Sequence, residues 1–426
     1  MSFDAQPSCP QRIAIIGGGI SGLAAAYLLA PNHLVTLYEA APRLGGHART
    51  ILAGKSGNQP VDTGFIVFNY ANYPHLTRMF QDLDVPVMKS DMSFGASIDQ
   101  GRIEYALRNM RGLLGQKRNL MRPGFLRMIR DIATFNARAT TVADSDDLTI
   151  GELVRDLGLG DWFQRYYLMP ICGAIWSTSA EEVANFPART LVQFFQNHAL
   201  LSAKGQHQWW TVQGGSQEYV RRLERHLRAR GVVIKQSSPV ASVSRNGVES
   251  QVHLDGQPSQ SFDQVIFACH SDQALRLLER PTTAETAALS AIRYQDNHAV
   301  LHCDPVMMPT RKACWSSWVY NADTKRPSPA IGVTYWMNRL QNIPADDPMF
   351  VSLNPVQHID SKKIYDSTTF RHPVFDKPAL RAQTQLKELQ GTHNTWFAGA
   401  YTRHGFHEDG FASAARIARL MQRQFA

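Results

Sequence analysis

The spacing Gly17-x-Gly19-x-x-Gly22 falls directly after the β-branched run Arg12–Ile16 and at the start of the small-residue stretch Ser21–Leu29. That order reads as strand, tight turn and helix, and it constrains the chain more than any other feature. The three glycines serve different ends: the first permits the turn, the second lets a pyrophosphate approach the backbone, and the third lets helix pack on strand. The helix N-terminus then offers N–H donors and a positive dipole end to phosphates. Leu34–Glu39 reads as a second strand and completes a βαβ unit. Glu39, at its end, is placed to accept hydrogen bonds from the hydroxyls of an unphosphorylated adenosine ribose. The uncharged stretch Ile13–Ala30 nears the length of a membrane-crossing helix. Its three consecutive glycines, Gly17, Gly18 and Gly19, argue for strand and turn instead. The preceding residues, with Asp4 and Arg12 as the only charges, lack a convincing cleavage site, so no signal peptide is read.

From Tyr73 to about Ala203 the sequence turns to helical periods, with helices expected at Pro74–Leu83, Leu148–Leu157, Trp162–Leu168 and Ala188–Leu200. Gly214-Gly215-Ser216 precedes an expected helix at Gln217–Arg230, followed by strands at Val232–Gln236, Ala241–Arg245, Gln251–Leu254 and Val265–Ala268. Alternating runs at His298–Cys303, Trp315–Tyr320, Ile331–Met337 and Met349–Leu353 suggest an antiparallel sheet. The C-terminal part returns to strand (Thr395–Ala398), a glycine loop and helix (Ala412–Arg423). No internal repeat is evident, so 426 residues are expected to form interwoven lobes rather than a series. The five cysteines include no C-x-x-C pair, which fits a reducing compartment better than a disulfide or zinc framework.

Arg43-Leu44-Gly45-Gly46-His47, just after Glu39, makes the chain resemble the FAD-dependent amine oxidase and phytoene desaturase superfamily. The resemblance continues through Asp62-Thr63-Gly64-Phe65, Gly214-Gly215, Pro239-Val240 and Gly399 to Gly410. It departs at His47-Ala48-Arg49, where the family usually has Arg after the glycine pair. It departs again at Ala400, where many members carry an acid that contacts the ribityl chain. The resemblance implies an α/β protein with α+β insertions, in which a Rossmann-like FAD-binding domain is interwoven with a substrate domain of helices and an antiparallel sheet. The FAD-binding domain is expected over residues 1–72, 205–275 and 390–426, and the substrate domain over 73–204 and 276–389. Fingerprint and resemblance together imply FAD contacts from Gly17, Gly19, Ser21, Gly22, Glu39, Ala40, Arg43, Gly45, Gly46, His47, Thr63, Gly64, Phe65, Val240, Gly399, Glu408, Asp409, Gly410 and Phe411. No catalytic residue and no metal site is assigned.

A narrower similarity lies in Gly45-Gly46-His47-Ala48, Gly64-Phe65-Ile66-Val67-Phe68-Asn69, Tyr73-Pro74, Ser90-Asp91-Met92-Ser93-Phe94 and Gly405-Phe406-His407-Glu408-Asp409-Gly410. These strings resemble the flavoprotein domain at the N-terminus of plant cyclopropane fatty acid synthases and its free-standing bacterial relatives. The resemblance implies a lipid or fatty-acyl connection. It leaves open desaturation, oxidation or isomerisation of an acyl substrate, and also a non-oxidising flavoprotein that assists a lipid methyltransferase. An amine oxidase is the alternative within the superfamily, with Trp176, Trp315, Trp318, Tyr335 and Trp336 as aromatics for a cation or as plain core.

Hydrolysis is not indicated, since Gly214-Gly215-Ser216-Gln217-Glu218 lacks the closing glycine of a nucleophile elbow. His404-x-x-His407-Glu408 reads either as metal ligands or as contacts of a flavin loop, and Tyr401 either as a ring contact or as structure. Ile171–Ser177 suits the lining of an alkyl tunnel or ordinary packing. The net charge of +8 has one concentrated source: Arg102, Arg108, Arg111, Lys117, Arg118, Arg122, Arg127 and Arg130 face a single acid, Glu104, within one segment. Interleaved Leu, Met, Phe and Ile residues make this a candidate for an anionic membrane surface or for a solvated helical face with snorkelling arginines. No nucleic-acid module accompanies the charge, so nucleic acid is not an expected partner. A cytoplasmic protein is expected, with the inner membrane face as a further place of action.

Overall fold

Arg12–Ile16 is the central strand of a five-stranded parallel sheet whose order is Thr395–Phe397, Gln264–Phe267, Arg12–Ile16, Leu34–Tyr38, Val233–Lys235. The structure, a computed structural model, describes residues 10–142, 148–176, 183–197, 207–325 and 331–424. Successive side chains of a strand point to opposite faces, and here both faces are covered. Ile13 and Ile15 pack against the helices Ile20–Leu29, Gln217–Ala229 and His407–Gln424. Ala14 and Ile16 pack on the other side with Ala288, Ala382 and Leu386. Two-sided burial explains why this strand reads as an unbroken apolar run.

A second sheet has seven strands in the order Ile364–Pro373, Tyr294–His302, Phe350–Leu353, Gly332–Trp336, Trp318–Ala322, Phe94–Ile98, Ile103–Ala106. It is antiparallel except where Trp318–Ala322 runs parallel to Phe94–Ile98. The last two strands lie in the stretch expected to be helical. Both are short and fully or nearly buried, and their buried Ser97 and Glu104 break the apolar pattern by which a short strand is recognised. The helices expected around them are present: Pro74–Asp82, Ile150–Asp156 and Ala188–Asn197. The remainder of the expected Ala188–Leu200 helix lies outside the described residues.

The basic segment is not one amphipathic helix. It runs through the strand Ile103–Ala106, a turn of helix at Met110–Leu113, a 3-10 turn at Lys117–Met121 and the start of the helix Pro123–Val142. The last of these buries Phe125, Met128, Asp131, Phe135 and Ala139, a stripe at helical spacing.

Two boundaries differ from expectation for physical reasons. The C-terminal helix begins at His407, not Ala412, because Glu408 and Asp409 occupy its first turn, where the dipole favours acids. The helix at Asp161 continues through a π-helical stretch, Gln164–Leu168, into Met169–Trp176. Pro170 has no N–H for the Tyr166 carbonyl four positions back, and the Tyr105 hydroxyl donates to that carbonyl instead. Among the described residues no helix is long and apolar enough to cross a membrane.

Candidate functional site

The glycine turn is built as its spacing requires. Gly17 donates its N–H to the Tyr38 carbonyl (2.8 Å) and has φ +113°, and a Cβ there would stand 2.8 Å from the Ala268 carbonyl oxygen. A Cβ on Gly22 would stand 1.9 Å from the Gly17 oxygen, so helix and turn touch backbone to backbone. The Glu39 carboxylate accepts the Gly18 N–H (2.7 Å) and the Ala41 N–H (2.8 Å). It thus fixes the turn while keeping lone pairs free for a ribose. Gly18 serves both by its N–H and by its lack of a side chain, since a Cβ there would stand 2.7 Å from Leu44 and 2.9 Å from the Glu39 carboxylate. Ser237 and Ser238 donate to the Ala41 and Glu39 carbonyls (3.0 and 2.9 Å), which brings the start of the Val240–Arg245 strand to the same end as Ala40.

The second glycine pair lies alongside the first. Gly45 donates to the Gly18 carbonyl (2.8 Å), and a Cβ on Gly46 would be 3.1 Å from the Gly19 Cα. Arg43 donates to the Gly46 and Ala48 carbonyls (2.9 and 3.2 Å), bracing this loop from within. Arg49 forms a two-pronged ion pair with Asp366 (2.6 and 3.0 Å) and reaches the Thr63 hydroxyl (3.3 Å). Neither Arg49 nor Asp366 was expected at the site, since 317 positions separate them in the chain.

Phe65 donates its N–H to the His47 carbonyl (2.9 Å), and its ring stacks on His407 at 3.9 Å. A Cβ on Gly64 would collide with that His47 oxygen at 2.1 Å. The His407 Nε2 lies 2.6 Å from the Tyr219 hydroxyl. The His47 ring packs against Phe370 (5.0 Å), His372 (5.5 Å) and His270 (6.0 Å). Burial, with smaller contributions from the neighbouring groups, pushes His47 and His270 down to about 4 and His372 and His407 to about 3, so the cluster is neutral at physiological pH. His47 Nε2 is buried without a hydrogen-bond partner.

At the C-terminal loop a Cβ on Gly410 would meet Ile20 (2.8 Å) and the Ser21 hydroxyl (2.9 Å), so the first turns of two helices abut at the glycine turn. Glu408 accepts the N–H groups of His75 and Leu76 (2.9 and 3.0 Å), capping the helix Pro74–Asp82, and burial raises its pKa to about 7. Asp409 accepts from His404 and Phe406 N–H (3.2 and 3.0 Å). Phe411 is buried and stacks on the His75 ring at 5.7 Å. Gly399 donates to the Ser413 hydroxyl (2.9 Å). Among the described residues no cluster of metal-ligating side chains forms, and His407 and Glu408 have the partners just given. Tyr401 is buried in the core beside Ala14 and Phe397. Asp62 is a buried clamp that accepts from Thr50, Gln341 and the N–H and hydroxyl of Ser216 at 2.6–2.9 Å.

The cradle of paired glycine backbones, the carboxylate at its rim and the unpartnered His47 nitrogen fit a dinucleotide whose other end runs toward His47. The family model for flavin containing amine oxidoreductase matches residues 20–317, and the chain belongs to that family. Its homologues are FAD-dependent oxidoreductases, and a flavin held in this cradle would supply the capacity to accept a hydride or electrons. Among relatives, protoporphyrinogen oxidase of Bos taurus is 24% identical over 323 residues, 66% of this chain and 64% of that one. An L-amino-acid oxidase of Sistrurus catenatus edwardsii is 54% identical over 44 residues, 10% of this chain and 8% of the relative. The matched regions therefore span less than two thirds of these relatives' lengths.

Solved structures share the fold. One from Exiguobacterium sp. 255-15, assigned as a protoporphyrinogen oxidase, has a TM-score of 0.71 at 16% identity, covering 97% of this chain and 99% of its own. A CLA-producing fatty acid isomerase from P. acnes has a TM-score of 0.68 at 16% identity, covering 98% and 100%. Cyclohexylamine oxidase from Brevibacterium oxydans IH-35A has a TM-score of 0.69 at 15% identity, covering 97% and 100%.

Beyond His47 the seven-stranded sheet presents one face. Its register aligns Phe94, Trp318, Tyr335, Val351, Leu301 and Asp366 in one row, and Ala96, Tyr320, Val333, Leu353, Ala299 and Thr368 in the next. Trp318 and Tyr335 meet edge to face at 5.1 Å, and Tyr335 packs with Phe370, on which His47 stacks. Trp315 and Trp336 instead pack with Phe350 on the opposite face. A Cβ on Gly173 would stand 2.8 Å from Ile331, so the backbone of the helix Met169–Trp176 comes close to this face. Ser177 and the side chains of residues 174–176 lie outside the described part.

Proposed function

We propose that the protein desaturates, oxidises or isomerises a lipid-like, fatty-acyl substrate at its flavin. The observation that carries this reading is the sheet face that begins at His47 and Phe370 and continues through Tyr335, Trp318, Val333 and Ile331. Its one acid, Asp366, is already held by Arg49, and the nearby histidines are neutral, so the lining offers an alkyl chain burial and a cation little. In this reading the proposed FAD contacts position the cofactor, Glu39 holds the ribose, and the apolar face holds the chain. The similarity in fold to a fatty acid isomerase and the resemblance of the motif strings to the cyclopropane synthase flavoprotein domain support it. The same strings leave room for action beside a lipid methyltransferase. We place this activity in the cytoplasm, with access to the inner membrane face.

Amine oxidation is the second reading, favoured by the right-angled Trp318–Tyr335 pair, which could receive a cation, and by the fold shared with cyclohexylamine oxidase. Anaerobic mixing of the purified flavoprotein with fatty-acyl phospholipid, free fatty acid or polyamine separates the two, with mass spectrometry to detect redox-neutral isomerisation. Acyl turnover or acyl-driven bleaching is expected. Bleaching by polyamine alone would overturn the acyl reading.

A further inference from the structure

Four large apolar side chains between positions 110 and 126 stand in solvent: Met110 is 66% exposed, Leu120 45%, Met121 79% and Leu126 47%. They are not on a loose loop. Gln116, buried, accepts the Glu104 N–H (2.9 Å) and donates to the Gly101 carbonyl (3.0 Å). Asn119, fully buried, donates to the Glu104 carbonyl (2.9 Å). Asn109 caps the turn Met110–Leu113 through the Gly112 N–H (2.8 Å). These anchors point the polar residues inward and the apolar ones outward, the reverse of what water alone favours.

The charge around this ridge is equally one-sided. Glu104, the only acid between Arg102 and Arg130, is fully buried and turned to Arg311 (2.9 Å) and to the N–H groups of Thr310 and Arg311. It therefore pairs with Arg311 and with none of the eight cations of the segment itself. Arg102 and Arg108 pair with Asp99 and Asp91, and Arg127 and Arg130 lie near Asp131. Among the described residues Arg111, Lys117, Arg118 and Arg122 have no acidic partner, and Arg122 lies within the repulsive reach of Arg118 and Arg102. Cations without acidic partners, alternating along the segment with solvent-exposed apolar side chains, match an interface of anionic headgroups over acyl chains.

We propose that residues 110–127 dock the protein on an anionic lipid bilayer, with Met110, Leu120, Met121 and Leu126 in the acyl boundary and Arg111, Lys117, Arg118 and Arg122 on the headgroups. The ridge is built on Phe125 and Met128, whose core also includes Ala96 and Ile98 on the substrate-side face of the large sheet. Docking would thus bring the proposed acyl site up to its substrate's phase; only this last link rests on the acyl reading.

The test is flotation of the holoprotein with phosphatidylcholine vesicles, with and without phosphatidylglycerol. Binding is expected only with phosphatidylglycerol and should weaken as salt rises. Lys117→Ser with Arg118→Ser should lower the affinity roughly 25-fold, at about fivefold per cation. Leu120→Ser with Met121→Ser should weaken binding while keeping its salt dependence, and unchanged flavin absorbance checks that both variants fold. Equal binding to neutral vesicles, failure to float with phosphatidylglycerol at low salt, or tighter binding of an oligonucleotide than of vesicles would overturn the proposal. Turnover of detergent-dispersed acyl lipid is measured separately. Turnover without vesicle binding removes the docking surface alone, whereas vesicle binding without turnover removes only the acyl reading.

Discussion

At Gly22 a single methyl group separates a working turn from a broken one. Gly22→Ala would put a Cβ 1.9 Å from the Gly17 oxygen, and backbone cannot yield there without opening the turn. The expected outcome is near-complete loss of flavin, read as the ratio of flavin to protein absorbance. Asp62→Ala would leave donors from Thr50, Ser216 and Gln341 buried without an acceptor. A loss of about 3–5 kcal/mol in urea denaturation is expected, with Asp62→Asn losing less because it keeps one acceptor oxygen. The glycines and Glu39 were legible because a turn, a close approach and a strand end each demand one residue type at one spacing. Glu408 was legible as important but not for what it does, since the Leu76 N–H it caps lies 332 positions away.

Elements were read where periodicity and burial agreed. The strand Arg12–Ile16 and the helix Gln217–Ala229 follow from patterns internal to each segment. Phe94–Ile98 and Ile103–Ala106 do not, because their strand character comes from pairing with Trp318–Ala322 and with each other. Likewise the helix Pro74–Asp82 has no side-chain cap of its own at Tyr73 and borrows one from Glu408. Glu408→Ala should therefore cost about 1 kcal/mol. Its local signature is faster hydrogen exchange at the His75 and Leu76 amides, with exchange in the parallel sheet much less affected.

For the whole molecule, stability should fall as the pH drops below neutral. His47, His270 and His302 have pKa values lowered to about 4 and His372 and His407 to about 3. Between about pH 4 and 6.5 the unfolded chain protonates these histidines and the folded chain does not, so their stabilisation is complete above 6.5 and is lost as pH falls. Asp62, raised to about 6, Glu408, raised to about 7, and Asp409, also raised, act in the opposite sense, since the folded chain keeps their protons longer. The five histidines outnumber the three carboxylates, so they set the sign and stability rises with pH through this range. Denaturation midpoints at pH 5, 6 and 7.5 should climb with pH, and a fall would show that the buried carboxylates dominate.

The abutment of Gly410 on Ile20 and Ser21 makes the cofactor cradle a seam between the early and late parts of the chain. During synthesis the glycine turn leaves the ribosome long before the loop that closes over it. An incomplete chain can therefore form the turn but not the seam, and firm retention of flavin has to wait until the strand Thr395–Phe397 has joined the sheet and drawn the last helix into place. Loading of the flavin then doubles as a check that the two ends of the fold have met.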